Sequence, residues 1–394
     1  MKTFDLVIAG GGMVGVSLAL SLSKTDLRIA LVDQQSLSAQ VFSSDSPYAP
    51  RVSALTEASS RLFQRLGAWK TMTSQRAMPY QHMYVWDGEG TGEIAFDARS
   101  AGFKTLGNIV ENDVVRNALL EQLFETSVEC FPNQSTIAYQ LGEPHQVKLD
   151  NEKIEARLLV ATDGAESRLR KLSGIPSSQK DCLHHAVVTT VETERYHQDT
   201  AWQVFLASGP LAFLPMPSRG EKHYCSIVWS LVPDGADEVL SLDDEAFCQA
   251  IECAFESRLG KVLSADPRFR FPLKQRHARQ YHRNRIVLAG DAAHTIHPLA
   301  GQGVNLGLQD VEVLSEEIIR AIERGDDFSG SHILNRYERR RMGSNLLMMK
   351  SMEGLQNLFA ADDIGLRWLR NTGLKWTNNM PFAKDMLIKH ALGV

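Results

Sequence analysis

Five cysteines, Cys130, Cys182, Cys225, Cys248 and Cys253, are scattered through 394 residues, and no Cys-x-x-Cys occurs. An odd set without that spacing makes neither a disulfide frame nor a thiol relay, so it reads as reduced thiols in a cytosolic protein. No run reaches the roughly 18 uncharged apolar residues a membrane-crossing helix needs. The opening segment also lacks the long apolar region and cleavage site of a secretory signal. Excess positive charge is missing too. Lys and Arg number 42 against 47 Asp and Glu, a net charge of -5, which excludes a chain whose affinity rests on nucleic-acid phosphates. No His-Glu-x-x-His is found, and only one Gly-x-Gly-x-x-Gly. A dedicated nicotinamide domain of the disulfide-reductase kind would need a second.

What is present suits a large folded chain: 43% hydrophobic and 23% charged residues, enough for a core split into two or more lobes. The charge is uneven. Residues 336–394 hold ten Lys or Arg and five Asp or Glu, a net +5 that leaves -10 for the rest. Such a tail is either helix surface or a basic contact with an anionic membrane or an acidic partner.

Residues 4–10, FDLVIAG, form a short apolar strand of the kind buried in a parallel sheet. Gly10, Gly12 and Gly15 follow, then a helical run, then a second strand ending at Asp33. Strand, glycine turn, helix, strand and acid are the full context of a dinucleotide-binding fingerprint. Gly10 permits the turn, Gly12 lets a pyrophosphate reach the backbone, and Gly15 lets helix and strand pack. The helix start offers unpaired N–H groups and a positive dipole end. Asp33 suits the ribose hydroxyls of FAD or NAD and would repel the extra phosphate of NADP. Arg51 is either a surface residue or a clamp on the cofactor.

Further on, an apolar strand over residues 153–161 runs into Asp163-Gly164, a turn placed where such sheets contact ligands. From about Cys182 to Phe271 the chain changes to short runs rich in β-branched and aromatic residues, read as a second lobe of mixed or antiparallel sheet. Trp202, Phe213, Pro215, Met216 and Trp229 there are candidate walls of a substrate pocket, or ordinary core. A third strand reaches Gly290 and Asp291, and the loop AAHTIHPLAGQG leads into a long helix opening with Gly303, Val304 and Asn305. His294, His297 and Asp291 have the makings of a metal site, but Pro298, Gly301 and Gly303 imply a loop shaped around something flat. His294 has a structural or proton-handling task beside the active site, or is an ordinary loop residue.

Taken together, VIAGGGMVG…VD, ATDG and GDAAHTIHPLAGQGVNLGLQD resemble the single-component FAD-dependent aromatic hydroxylases, most closely the ubiquinone-ring hydroxylase family. The runs RVSALTEAS, GNIVEN, LAFLPMP and CSIVWSL fit that branch, and WDGEGTGEIAFD leans toward its 2-polyprenylphenol 6-hydroxylases, which act at ring C5. Two departures flank the Asp-Gly turn: Thr162 and Glu166 replace the family's usual Ala and Asn.

The resemblance implies a Rossmann-like α/β FAD-binding fold of the para-hydroxybenzoate-hydroxylase type with a mixed β-sheet lobe and C-terminal helices. The FAD domain would be discontinuous, over residues 1–75, 101–181 and 272–345. Residues 76–100 and 182–271 would form the substrate lobe and 346–394 the helical end. The family pattern implies that Gly10, Gly12, Gly15 and Asp33 hold the ADP half of FAD, with Arg51 and Arg116 also on the cofactor. Asp163 and Gly164 would lie near FAD and arriving NAD(P)H, and Gly290 and Asp291 at the ribitol. Pro298 through Asn305 would run along the isoalloxazine, with Pro298 and His294 on the catalytic side. The implied activity consumes O2 and NAD(P)H or another donor and hydroxylates a polyprenylphenol through a flavin C4a-hydroperoxide. Implied partners are the lipid substrate, a biosynthetic complex and, through the basic C-terminal helices, the inner face of a membrane touched peripherally from the cytoplasm. Hydroxylation of another ring position or of a soluble aromatic acid, and a non-catalytic flavin scaffold, are the rival readings.

Overall fold

The computed structural model describes residues 1–39, 46–136, 138–142, 144–296 and 303–360. Lys2–Ala9 is buried on both faces from Leu6 onward, which is why its apolar run does not alternate. It lies parallel between Ile29–Val32 and Lys153–Ala161. Glu129–Phe131 extends the sheet beyond the first neighbour and Ile286–Leu288 beyond the second, both parallel. Short antiparallel strands complete eight among the described residues. Met13–Leu22 packs against Gly303–Glu323 and Asn112–Leu123, and Ser331–Ala360 packs on Gly303–Glu323.

A second sheet has nine strands among the described residues. Its centre runs in the order Phe269–Ala278, Ser177–Thr193, Lys222–Leu231, Gly209–Arg219, Thr200–Leu206 and His82–Asp87. Alternation sorts its side chains by size, because successive residues of a strand face opposite ways. Val187, Val204, Leu211, Phe213, Ile227 and Trp229 point to one face and form a core with Phe247, Ile251 and Phe255 of the covering helical segment. Phe213 and Phe255 stack at 3.7 Å between ring centroids. The opposite face carries Ala201, Ala212, Leu214 and Met216, which pack on Ala54 and Ile109. Those last two belong to a three-stranded sheet of Val52–Leu55, Gly107–Glu111 and Ala77–Tyr80.

The expected boundaries move. Ala77–Tyr80 joins the three-stranded sheet rather than the substrate lobe. Ser177–Thr193 and Phe269–Ala278 run across the borders drawn at 182 and 271, since a paired ladder continues while both strands are long enough. Ser331–Ala360 is one helix through the border drawn at 345. The rest of the C-terminal region, 361–394, lies outside the described residues. Of the basic tail, Arg341 is buried against Asp310, while the half-buried Arg336 and the exposed Arg340 reach the buried Glu317. The five cysteines are free thiols, and no helix of the described residues is long and apolar enough to cross a membrane.

Asp310 is the polar centre of this packing. Its Oδ2 accepts from Gly290 N at 3.0 Å and lies 2.6 Å from His294 Nε2, and its Oδ1 accepts from Arg341 Nε at 2.7 Å and Asn345 Nδ2 at 3.2 Å. Burial by itself would raise this carboxyl, but His294 and Arg341 outweigh it and hold it below its ordinary 3.8. A carboxylate depressed by folding adds stability above its unfolded pKa and loses it as pH falls through the folded one. This contribution is therefore intact at neutral pH and fades only below 3.8. Replacing Arg341 by Ala leaves the charge buried and unpaired. We expect a loss of about 3–5 kcal/mol in urea unfolding at neutral pH, against about 0–1 kcal/mol for Arg65→Ala at the exposed pair with Glu312.

Candidate active site

The glycine turn is dictated by close backbone approach. Gly10 sits at φ +113°, and a Cβ on it would lie 2.8 Å from Asp163 N. A Cβ on Gly15 would overlap the Gly10 carbonyl oxygen and stand 2.6 Å from Thr162 Oγ1. Thr162, one departure from the family pattern, donates to the carbonyls of Ala9 and Gly10 at 3.0 and 2.9 Å and so closes the strand end. Gly12 differs: nothing lies within 4 Å of where its Cβ would be. It is the N-cap of Met13–Leu22, with no side-chain cap, so the first amides of that helix face open space.

Asp33 and Arg116 brace this turn. Asp33 Oδ2 accepts from Gly11 N, and Oδ1 accepts from Gln35 N at 2.6 Å. Arg116 Nε donates to Gly11 O at 3.1 Å and Nη2 to Ser36 O at 2.8 Å. At the neighbouring strand end, Asp163 Oδ2 accepts from the amides of Arg168 and Leu169, capping the next helix, beside Gly164 at φ +82°. Its Oδ1 is buried with no hydrogen-bond partner. Glu166 salt-bridges Arg276 and Lys171, and these partners hold its carboxyl down at about 2.

The second pole is built around Gly290 and Asp291. Asp291 keeps access to solvent although protein atoms crowd around its carboxylate. Burial raises its carboxyl, and His294 and Arg51 oppose the rise. Arg51 thus lies near the Asp291 carboxylate, with its guanidinium 5.7 Å from the Phe271 ring centroid on the small-residue face of the nine-stranded sheet. Gly303 and Val304 open the long helix, whose first amides have no intrahelical partner. Asn305, read as a cofactor ligand, instead spends its side chain inside the protein. Oδ1 accepts from Thr56 N at 3.1 Å and Ser59 Oγ at 2.7 Å, and Nδ2 donates to Ala54 O at 2.8 Å. It fastens the strand that carries Arg51 to the helix start. His294 is likewise committed to Asp310 and buried, so it ties the Asp291 turn to the helix. His297, Pro298 and Gly301 lie outside the described residues.

The expected pocket walls separate. Trp202, Phe213 and Trp229 belong to the core under the covering helices, on the face turned away from Arg51 and Asn305. Met216 lies on the other face, toward Tyr48 and Ala54. Pro215, next to Met216, pairs across the ladder with Cys225. The correction follows from the period of two: large aromatics were the visible signal, but the strands aim them at the helices. Asp310 and Arg341 were missed altogether. The available signal was an acid at a core-facing position of a helix, in line with Leu306 and Leu314, which requires a buried partner.

An open helix start flanked by glycine close approaches, an orphaned buried carboxylate oxygen, and a second helix start beside Asp291 fit an extended dinucleotide with phosphates at one end and a flat group at the other. That is the site of a flavoprotein with a Rossmann-like FAD-binding fold and an auxiliary sheet. A family model described as "FAD binding domain" matches residues 3–349. The 3-demethoxyubiquinol 3-hydroxylase of Escherichia coli is 34% identical over 99% of this chain and 98% of its own. Ubiquinone hydroxylase UbiL of Rhodospirillum rubrum is 33% identical over 100% and 90%, and the COQ6 monooxygenase of Xenopus tropicalis 31% over 98% and 93%. In fold, the chain superposes on p-nitrophenol 4-monooxygenase PnpA of Pseudomonas putida with a TM-score of 0.78 (20% identity, 100% and 99% covered). Its TM-score with P. aeruginosa PqsL is 0.80 (20% identity, 95% and 100% covered). The chain belongs to the FAD-dependent ring-hydroxylase family of ubiquinone biosynthesis, and it is a monooxygenase.

Gly12 and Gly15 test the two kinds of glycine. Gly12→Ala should leave the flavin-free protein within about 1 kcal/mol of wild type, while weakening FAD binding about tenfold or more, read by fluorescence titration. Gly15→Ala should lower both stability and flavin content, because backbone atoms cannot yield to the added methyl.

Proposed function

We propose that this chain hydroxylates the aromatic ring of a polyprenylphenol intermediate in ubiquinone biosynthesis, at ring C5, with O2 and NAD(P)H as co-substrates. The observation that carries the choice of substrate is the sheet face turned toward Arg51. Its central positions are Ala186, Val188, Thr190, Ala212, Leu214, Ser226, Val228 and Ser230, without a Lys or Arg among them. A soluble aromatic acid would need Arg51, beside Phe271, as the cation for its carboxylate. A neutral phenol with an alkyl tail does not. The names of the relatives above support the pathway. The E. coli relative is named for position 3 of a demethoxyubiquinol, so the ring carbon is what the test must read.

FAD, when bound, supplies the electrons that activate O2 and passes one oxygen atom to the ring. Gly12 and the amides after it hold the phosphates, with Asp33 toward the adenosine ribose and Asp291 toward the ribitol. Asp163 and Gly164 lie where the reductant approaches. The Gly303–Val304 amides face the flat end, where a helix start favours negative charge. Arg51 stands between that end and Phe271. The aliphatic face keeps water from the reacting ring. His294 positions the Asp291 turn through Asp310. Pro298 and Gly301 are assigned to the ring-facing loop by the family pattern. Leu346 and Leu347, exposed on the Ser331–Ala360 helix, support a peripheral lipid contact or a place in a biosynthetic assembly for this end of the molecule.

Mass spectrometry of products from short-tailed polyprenylphenols, with labelled O2 and NAD(P)H, should show one labelled oxygen per product, and NMR should place it at C5. A product hydroxylated elsewhere would move the activity to another ring position. Flavin loading with no substrate-stimulated NAD(P)H oxidation would leave a scaffold.

A further inference from the structure

The chain leading to Arg51 has no helix or strand from Ser46 to Pro50, yet each residue from Ser46 to Ala49 is held by another segment. Arg76 Nη2 donates to Ser46 O at 2.7 Å and Nη1 to Pro47 O at 3.2 Å. Arg219 Nη2 donates to the same Ser46 carbonyl at 2.6 Å. The Tyr48 hydroxyl donates to Pro217 O at 2.6 Å, and its ring centroid lies 5.0 Å from the Arg76 guanidinium and 4.2 Å from that of Arg219. Ala49 N donates to Glu111 Oε1 at 2.6 Å. Glu111 then takes hold of the chain a second time. Its backbone pairs with Val52 in the ladder, and the next amide, Asn112 N, donates to Arg51 O at 2.9 Å. Arg51 is thus bracketed by one residue, through a side chain before it and a strand after it.

Glu111 and Arg76 are both buried, Glu111 fully, and pair at 3.3 Å. A buried ion pair adds little stability over apolar side chains of the same volume, because both charges leave water. Here burial raises the Glu111 carboxyl even against the Ala49 amide and Arg76. A carboxyl raised by folding is one whose ionised form the fold disfavours, so at neutral pH this charge lowers stability. What the pair delivers is placement. The Arg51 side chain is exposed and makes no hydrogen bond or salt bridge among the described residues. It stands near the Asp291 carboxylate and the Phe271 ring, and its backbone is what keeps it there.

We propose that Glu111 and Arg76 are positioning residues for the reaction: they fix residues 46–49, and through them they hold the Arg51 guanidinium at the flat end of the cofactor. This rests on Arg51 meeting that end, as read above. Glu111 has no exposed surface, so it reaches a ligand only through this segment. Arg76 offers a planar fork to two successive carbonyls, a geometry that a single ammonium does not match. Pro217 and Arg219 belong to Gly209–Arg219 of the substrate lobe, so both lobes set where Arg51 stands. A cation at the flat end favours the reduced, anionic flavin over the neutral oxidised one, and the preference falls with distance.

The test reads the flavin midpoint potential of the full-length FAD-loaded protein. Arg51→Ala should shift the relative binding of the two flavin states about tenfold toward the oxidised one, lowering the two-electron potential by about 30 mV. Arg76→Lys keeps the charge but loses the fork, and should lower the potential too. Glu111→Ala should also lower it, although loss of a negative charge by itself would raise it. Glu111→Gln has the same charge as the Ala variant but leaves an acceptor for Ala49 N, and should restore most of the wild-type value. In an Arg51→Ala background neither Arg76→Lys nor Glu111→Ala should lower the potential further, since nothing is left to position. If Glu111→Ala does not fold, Arg76→Lys with and without Arg51 decides alone. A wild-type potential in Arg76→Lys, a raised one in Glu111→Ala, or shifts that add fully to that of Arg51→Ala would make the pair structural. Any of these overturns the proposal and leaves Arg51 at the cofactor. An unchanged potential in Arg51→Ala itself would remove Arg51 from the flavin end and this inference with it, while product formation by the wild-type protein would keep the function above.

Discussion

One carboxylate, Asp310, holds the catalytic half of the molecule in register. It is reached by a backbone amide from the Asp291 turn, an imidazole from the short strand after it, and a guanidinium from the last described helix. Those three segments come from different layers, and each brings a donor that would otherwise be buried unpaired. Their mutual satisfaction fixes the turn at the second pole of the cofactor site to within a hydrogen bond's length. A buried charge supported on all sides is stiff, because any displacement exposes a desolvated group. Asn305 makes a second, neutral joint of the same kind one turn earlier on the same helix, to the strand carrying Arg51.

The two joints explain the division of labour around the cofactor. Side chains beside the Asp291 turn, Asn305 and His294, are occupied in holding the protein together, so the groups left to meet a ligand there are amides, the Asp291 carboxylate and Arg51. At the glycine turn the pattern repeats: Asp33 and Arg116 grip the turn, and the helix start is left open. Preorganised backbone donors suit a cofactor that changes charge during its cycle, since they need no rearrangement to meet it.

Much of this was legible from residue order. The glycine spacing ending at Asp33, the Asp-Gly turn, and the strand running into Gly290 and Asp291 all occupy the places their local patterns imply, because each is a local rule of backbone geometry. The substrate lobe was legible as β-structure from its β-branched and aromatic runs. Its orientation was not. Trp202, Phe213 and Trp229 drew attention as pocket walls by size, yet whether an alternating strand turns its odd or even residues to the cofactor depends on which face the helices cover. The basic tail was legible as helix surface at Arg340, but only the packing shows Arg341 buried against Asp310 and Arg336 and Arg340 reaching the buried Glu317.

Sequence alone determined the strand, glycine turn and helix near the start of the chain and the mixed-sheet lobe, since those depend on φ, on Cβ volume and on a period of two, all properties of a few adjacent residues. Only tertiary structure decided that Asn305 and His294 brace rather than reach, that Asp310 is a hub, and that the small residues of the second sheet face Arg51. Each of those joins separate segments, from 16 residues apart at His294 and Asp310 to 251 at Asn305 and Ala54, and a donor's partner is chosen by the packing that brings the two into the same dry space.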